Sequence, residues 1–171
     1  MTTPPYEPAS PHYLDVASAQ LGRPVRNVLG IAARCVCGNP TVLATAPRLA
    51  DGSPFPTLYY LSHPAATAAM SDLEAEHVMV EFQDALAEPE LAAAYHAAHT
   101  AYLADRAVYG EVAEIAGISA GGMPTRVKCL HALAAHSLAA GPGVNPVGDL
   151  ALERGDWSPL VCECVDYAIE V

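Results

Sequence analysis

The residues with most chemistry to offer are two Cys-x-Cys pairs, Cys35-Val36-Cys37 and Cys162-Glu163-Cys164, and a fifth cysteine, Cys129. On a strand, residues i and i+2 face the same way, so each pair would present two sulfurs together. Four thiolates complete a tetrahedral zinc site, with an iron–sulfur centre the second choice, and Cys129 can stand in for one member. The plainer alternative makes Cys35 and Cys37 small buried hydrophobes and leaves the tail pair incidental. Five cysteines are an odd number, and the start of the chain, MTTPPYEPASPHY, has neither the basic nor the apolar region of an export signal. Free thiols or metal ligation are therefore expected rather than disulfides.

A second focus is Gly121-Gly122, ahead of a segment that reads as a helix over 124–140 with Arg126 and Lys128 in its first turn. Paired glycines let backbone N–H groups converge, and a helix N-terminus adds partial positive charge. Lys128 is the only lysine among 8 basic residues. An anion site for phosphate or carboxylate follows, built from Gly121, Gly122, Arg126, Lys128 and His131, with Arg48 reaching in from a strand loop. The competing reading is a tight turn whose two cations pair with surface acids. Cys129, beside these cations, is also a candidate low-pKa thiol. On the helix, Val127, Leu130, Ala134 and Leu138 make one apolar stripe with His131 at its edge, and His136 falls on nearly the opposite side. A third set, His99, Tyr102 and Arg106, could line a pocket for an anionic substrate, although tyrosines at this spacing more often pack in a core. Glu74, His77 and Glu81 read as a solvated face.

The elements that must position these residues are legible from punctuation and periodicity. The segments 25–35, 41–46 and 57–61 read as three strands joined by Gly38-Asn39-Pro40 and by the turn residues of 51–56, an antiparallel meander. Helices are expected over 65–74, 77–87, 89–109 and 124–140, with a short one from Asn145 to about Glu153. The fold class is α+β, a small sheet of about three strands packed by four or five helices in one domain over residues 21–155. Residues 1–20 read as a flexible arm with a turn or two of helix at 14–20. Residues 156–171 read as an extended tail alternating around Val161, Val165 and Ile169.

Composition bounds the function. With 19 acidic against 8 basic residues the formal charge is −11, which disfavours nucleic acid and anionic lipid as partners. The hydrophobic content of 52% is largely alanine, and no apolar run reaches the length of a membrane span. A cytoplasmic protein is expected. No Gly-x-Gly-x-x-Gly, Walker, His-Glu-x-x-His or Gly-x-Ser-x-Gly motif is present, so no reaction is assigned.

The run Ala120-Gly121-Gly122-Met123-Pro124-Thr125-Arg126-Val127-Lys128-Cys129-Leu130-His131, continuing to Pro146, is unlike ordinary helix filler. With Thr45-Ala46-Pro47-Arg48-Leu49 and the stretch 51–61 upstream, it resembles the actinobacterial family called domain of unknown function 501, over about residues 21–149. The resemblance assigns no activity and fades before Cys162 and Cys164. It implies an association with cell-division or envelope proteins. Three functions therefore stand: a binding or regulatory protein closed by a cysteine-bound metal, a small enzyme or binder with an anion pocket, and an interaction module for a protein partner.

Overall fold

Four of the six helices in the computed structural model, which describes residues 3–167, begin on a proline directly after their cap. Proline suits the first helical position because its missing N–H would have no helical partner there. In chain order the elements are α1 (Pro11–Leu21), β1 (Val28–Arg34), β2 (Pro40–Thr45), β3 (Tyr59–Leu61), α2 (Pro64–Ala75), α3 (Val78–Ala85), α4 (Pro89–Ala107), a 3-10 turn at Ala113–Ile115, α5 (Leu130–Ala140) and α6 (Pro146–Arg154). The strands form one antiparallel sheet in the order β1-β2-β3, so the expected α+β architecture holds. Among the described residues no helix is long and apolar enough to cross a membrane.

The helix α5 runs through the centre and packs on β3, α2 and α6. Leu130, Leu133, Ala134, Ala135, His136, Ser137 and Ala139 are all buried. The expected one-sided stripe is therefore corrected: burial extends beyond it to Leu133, Ala135 and His136, and His131, Ala132, Leu138 and Ala140 are partly exposed. His136 lies against the Tyr59 ring (5.7 Å, 15°) and meets Tyr102 edge-on (5.1 Å, 89°). Its Nδ1 accepts from Asn145 Nδ2 at 3.1 Å. Burial without a charged partner pushes the imidazole down to about 4, so it is neutral.

Two expectations about element limits change. The helix anticipated from Pro124 starts only at Leu130, because the preceding backbone is tied into a turn. Lys128 and Cys129 both donate to the Gly121 carbonyl, at 2.8 and 3.3 Å, and Gln83 Oε1 takes the Val127 N–H at 2.9 Å. The first twenty residues are not a loose arm from Tyr6 onward. Tyr6 is buried, its hydroxyl 3.1 Å from that of Tyr59 and its N–H bonded to Tyr109 Oη, and α1 follows. The carboxy-terminal segment forms no strand among the described residues; it turns where Val161 donates to the Ser158 carbonyl at 3.2 Å, Trp157 is buried, and Val36 donates to the Pro159 carbonyl at 3.1 Å. Ile169 lies outside the described residues.

At the α5–α6 crossing Gly148 has no room for a side chain, since an added Cβ would strike the Leu133 carbonyl and Ser137 Oγ. Gly148→Ala should therefore cost about 2–3 kcal/mol by wedging the two helices apart. The urea midpoint of the variant against the parent checks this. An unchanged midpoint would mean that the crossing yields freely.

Candidate metal centre and the polar cluster at Cys129

The backbone around Cys35 is a tight turn at the end of β1. Cys35 donates to the Asn39 carbonyl and Gly38 to the Cys35 carbonyl, both at 2.8 Å. This turn, and not the pleat of a strand, swings Cys35 and Cys37 to the same side. The tail crosses beside it, so that the sulfurs of Cys35, Cys37, Cys162 and Cys164 all lie within 4.8 Å of one another. Cys37 and Cys164 are closest, at 3.5 Å. These four cysteines can hold a metal ion.

Their surroundings favour thiolates unevenly. The Asn39 backbone N–H pulls Cys37 down to about 7, whereas burial pushes Cys35 up in spite of the Cys37 N–H beside it. Burial also pushes Cys164 up, to about 12, with neighbouring thiols adding to the effect. Uncharged thiols in such a group must lose protons to ligate, which a cation supplies the free energy to do.

One contributor escapes sequence reading. His63 caps α2: its Nδ1 accepts from the Ala65 and Ala66 N–H groups at 3.2 and 3.4 Å. With Nδ1 used as an acceptor, the neutral ring carries its proton on Nε2, 3.2 Å from Cys164 Sγ, and donates to that sulfur. Trp157 packs beside the ring, tilted at 45° with centroids 5.2 Å apart. The His63-Pro64 dipeptide marks a helix start, but nothing local in the sequence links it to residue 164.

Cys129 is not part of this group. It gathers with Glu74 and His131, their ligating atoms within 4.8 Å of one another. Glu74 is thus corrected from a solvated surface acid to a half-buried cap. Its Oε1 accepts the Leu130 N–H at 2.8 Å and faces His131 Nδ1 at 3.1 Å. A carboxylate of the protein itself thus stands at the N-terminus of α5.

The Gly121-Gly122 loop positions Cys129. Gly121 has φ +67 and its carbonyl holds the Cys129 N–H; a Cβ there would meet Leu133 at 2.6 Å. From the other side Gln83 Nε2 and Tyr95 Oη donate to the Thr125 and Arg126 carbonyls, at 3.1 and 2.8 Å. Arg126 and Lys128 are exposed and sit in this loop, not in a helical first turn. Both line a cavity of about 440 Å³ together with Gly121, Gly122, Ser119 and Cys129.

Arg48 is elsewhere, paired with Glu114 at 2.8 Å and bonded to the Gly52 carbonyl. The set of His99, Tyr102 and Arg106 does not make one pocket. Tyr102 Oη accepts the Leu58 N–H at 2.6 Å, the buried Arg106 donates to the Pro56 and Ile115 carbonyls at 2.7 and 2.9 Å, and His99 Nδ1 bonds Ser119 Oγ at 2.8 Å. These bonds tie the loops at 56–58 and 115–119 to α4.

A family model described as "Protein of unknown function (DUF501)" matches residues 31–153, which include Cys35, Cys37 and the Glu74, Cys129 and His131 cluster but stop short of Cys162 and Cys164. No curated protein and no solved structure matches the chain. The match covers most of the chain and agrees with the resemblance carried by the 120–146 and 45–61 motifs: the chain belongs to the DUF501 family.

Proposed function

We propose that this is a binding or regulatory protein whose carboxy-terminal segment is clasped to the sheet by one zinc ion held by Cys35, Cys37, Cys162 and Cys164. The observation that carries the reading is the convergence of four sulfurs from two segments more than a hundred residues apart in sequence. Zinc–sulfur bonds of about 2.3 Å in a tetrahedron place the sulfurs about 3.8 Å apart, the scale of this group. A multi-iron cluster spreads its cysteines further than a single ion does, which puts zinc first. The Asn39 and Cys37 N–H groups and His63 Nε2–H supply the donors that thiolate ligands need around them.

The test is elemental analysis of protein purified without chelator. One zinc per chain is expected, lost together with the four thiolates when all four cysteines are replaced. Protein holding neither zinc nor iron overturns the reading; iron with inorganic sulfide overturns the choice of zinc.

A further inference from the structure

Outside the four-cysteine group, the residues most suited to chemistry are Cys129, His131 and Glu74. His131 is held at both ring nitrogens by groups that only accept. Its Nε2 lies 3.1 Å from the Thr67 carbonyl, and also from Ser71 Oγ, whose own proton goes to that same carbonyl at 2.9 Å. Its Nδ1 lies 3.1 Å from Glu74 Oε1, an oxygen that already accepts the Leu130 N–H. A ring facing a carbonyl on one side and a carboxylate on the other is doubly protonated, an imidazolium. The half-buried Cys129 sulfur lies within 4.8 Å of both the imidazole nitrogen and the carboxylate oxygen.

The charged groups around the thiol agree with this. Burial raises Cys129, but the His131 side chain and the Ala132 N–H of α5 outweigh it, and the thiol falls below its ordinary value although Glu74 of α2 opposes. His131 rises to about 9, chiefly through Cys129, with Glu74 adding to it against the effect of burial. The imidazolium and the Ala132 N–H both favour the thiolate form of Cys129 over the thiol.

Two cavities meet here. One, of about 340 Å³, is walled by Cys129, His131, Thr67 and the β3 residues Tyr59, Tyr60 and Leu61. The other is the 440 Å³ cavity bearing Arg126 and Lys128, and Cys129 belongs to the wall of both. Volumes of this size accept small molecules.

We infer that Cys129 is a nucleophilic thiolate, paired with His131 and oriented through Glu74, that takes a small acyl compound bearing a carboxylate or phosphate, with Arg126 and Lys128 as the anion's partners. The inference deepens the anion-cavity expectation and is independent of the zinc reading. The thiolate adds to the acyl carbon, forming a C–S bond as the carbonyl electron pair moves to oxygen. Collapse breaks the bond to the leaving group, which departs with that electron pair and receives a proton from His131. Water, giving its proton back to His131, then splits the thioester, releasing the carboxylic acid and restoring the thiolate.

The experiment compares iodoacetate with iodoacetamide on the full chain at pH 6.5, reading the Cys129 peptide by mass so that the other four cysteines do not interfere. A thiolate at that pH, allowing for its lower intrinsic nucleophilicity, should react about tenfold faster than glutathione. The iodoacetate-to-iodoacetamide ratio should exceed that of glutathione severalfold and fall to it in Lys128→Ala, whose exposed side chain the fold does not need. Glu74→Gln, which removes the carboxylate facing Nδ1, should lower the pKa of the His131 imidazole as followed by NMR, and an unchanged imidazole overturns the role given to Glu74. Mono-4-nitrophenyl succinate should give a burst of nitrophenolate and a succinylated Cys129. A Cys129 that alkylates no faster than glutathione, or a second zinc held on it, overturns the nucleophile. An unchanged reagent ratio overturns the anion partners, and no burst with normal alkylation overturns the acyl chemistry.

Discussion

Cys164→Ser should release the tail and lower the melting temperature by about 10 °C, the largest effect anticipated for an exchange of one atom in this chain. Cys164 stands at the junction of three supports: the sulfur group, His63 Nε2–H, and the crossing of the tail beside the 35–39 turn. Losing a native cross-link between remote segments typically costs about 2–5 kcal/mol, and each kcal/mol moves a domain of this size by about 2–4 °C. Trp157, the only tryptophan, reports the event directly, because it is 7% exposed and lies against His63. Its emission should shift to the red in the variant, and a chelator should produce the same shift in the parent but none in the variant. A parent whose emission and melting ignore the chelator would sever the tail's attachment from any metal.

The second large effect is with pH. His136 is fully buried and neutral, held down to about 4 against an unfolded value of about 6.5. A depressed folded pKa means that the unfolded chain takes up the proton first. The stability from this site is present above about pH 6.5, declines as the pH falls, and is exhausted near pH 4. The difference of about 2.5 units corresponds to about 3 kcal/mol. His99, lowered by burial and by the nearby His96 and Arg106, acts in the same direction, whereas Asp105, raised by burial, opposes it. Cysteine protonation also contributes in acid, so the comparison must be with His136→Gln, which keeps an acceptor for Asn145 and cannot titrate. Urea unfolding at pH 7 and pH 5 should show a steeper loss in the parent than in the variant. Parallel losses would place the acid sensitivity elsewhere.

How much of this was readable from residues alone differs by element. The strands at 28–34, 40–45 and 59–61 announce themselves through β-branched runs and the Gly38-Asn39-Pro40 turn, and α2, α4 and α6 through proline at their starts. These are local signals. The start of α5 is not local, because the Gly121 carbonyl and Gln83, 44 residues upstream of Val127, decide where the helix begins. The Cys-x-Cys pairs were legible as ligands by type, while their meeting depends on how the tail crosses. Glu74 was misread for a related reason. Helical spacing with His77 and Glu81 suggests a solvated face, but His77 has φ +62 and breaks the helix there, so the three never share one. Arg48 and Arg106 were read as anion seekers by charge, and in the fold their donors go to Glu114 and to loop carbonyls.

The four-sulfur group has a consequence for how the protein would respond to its surroundings. Its ligands come from both ends of the chain, so for an ion held there occupancy and tail attachment are a single equilibrium. An ion that binds only the attached form adds about 1.4 kcal/mol for each tenfold rise in its free concentration above the dissociation constant. The attachment of the segment that carries Cys162 and Cys164 would then be a readout of buffered metal, graded on a logarithmic scale, with the rest of the domain as its fixed reference.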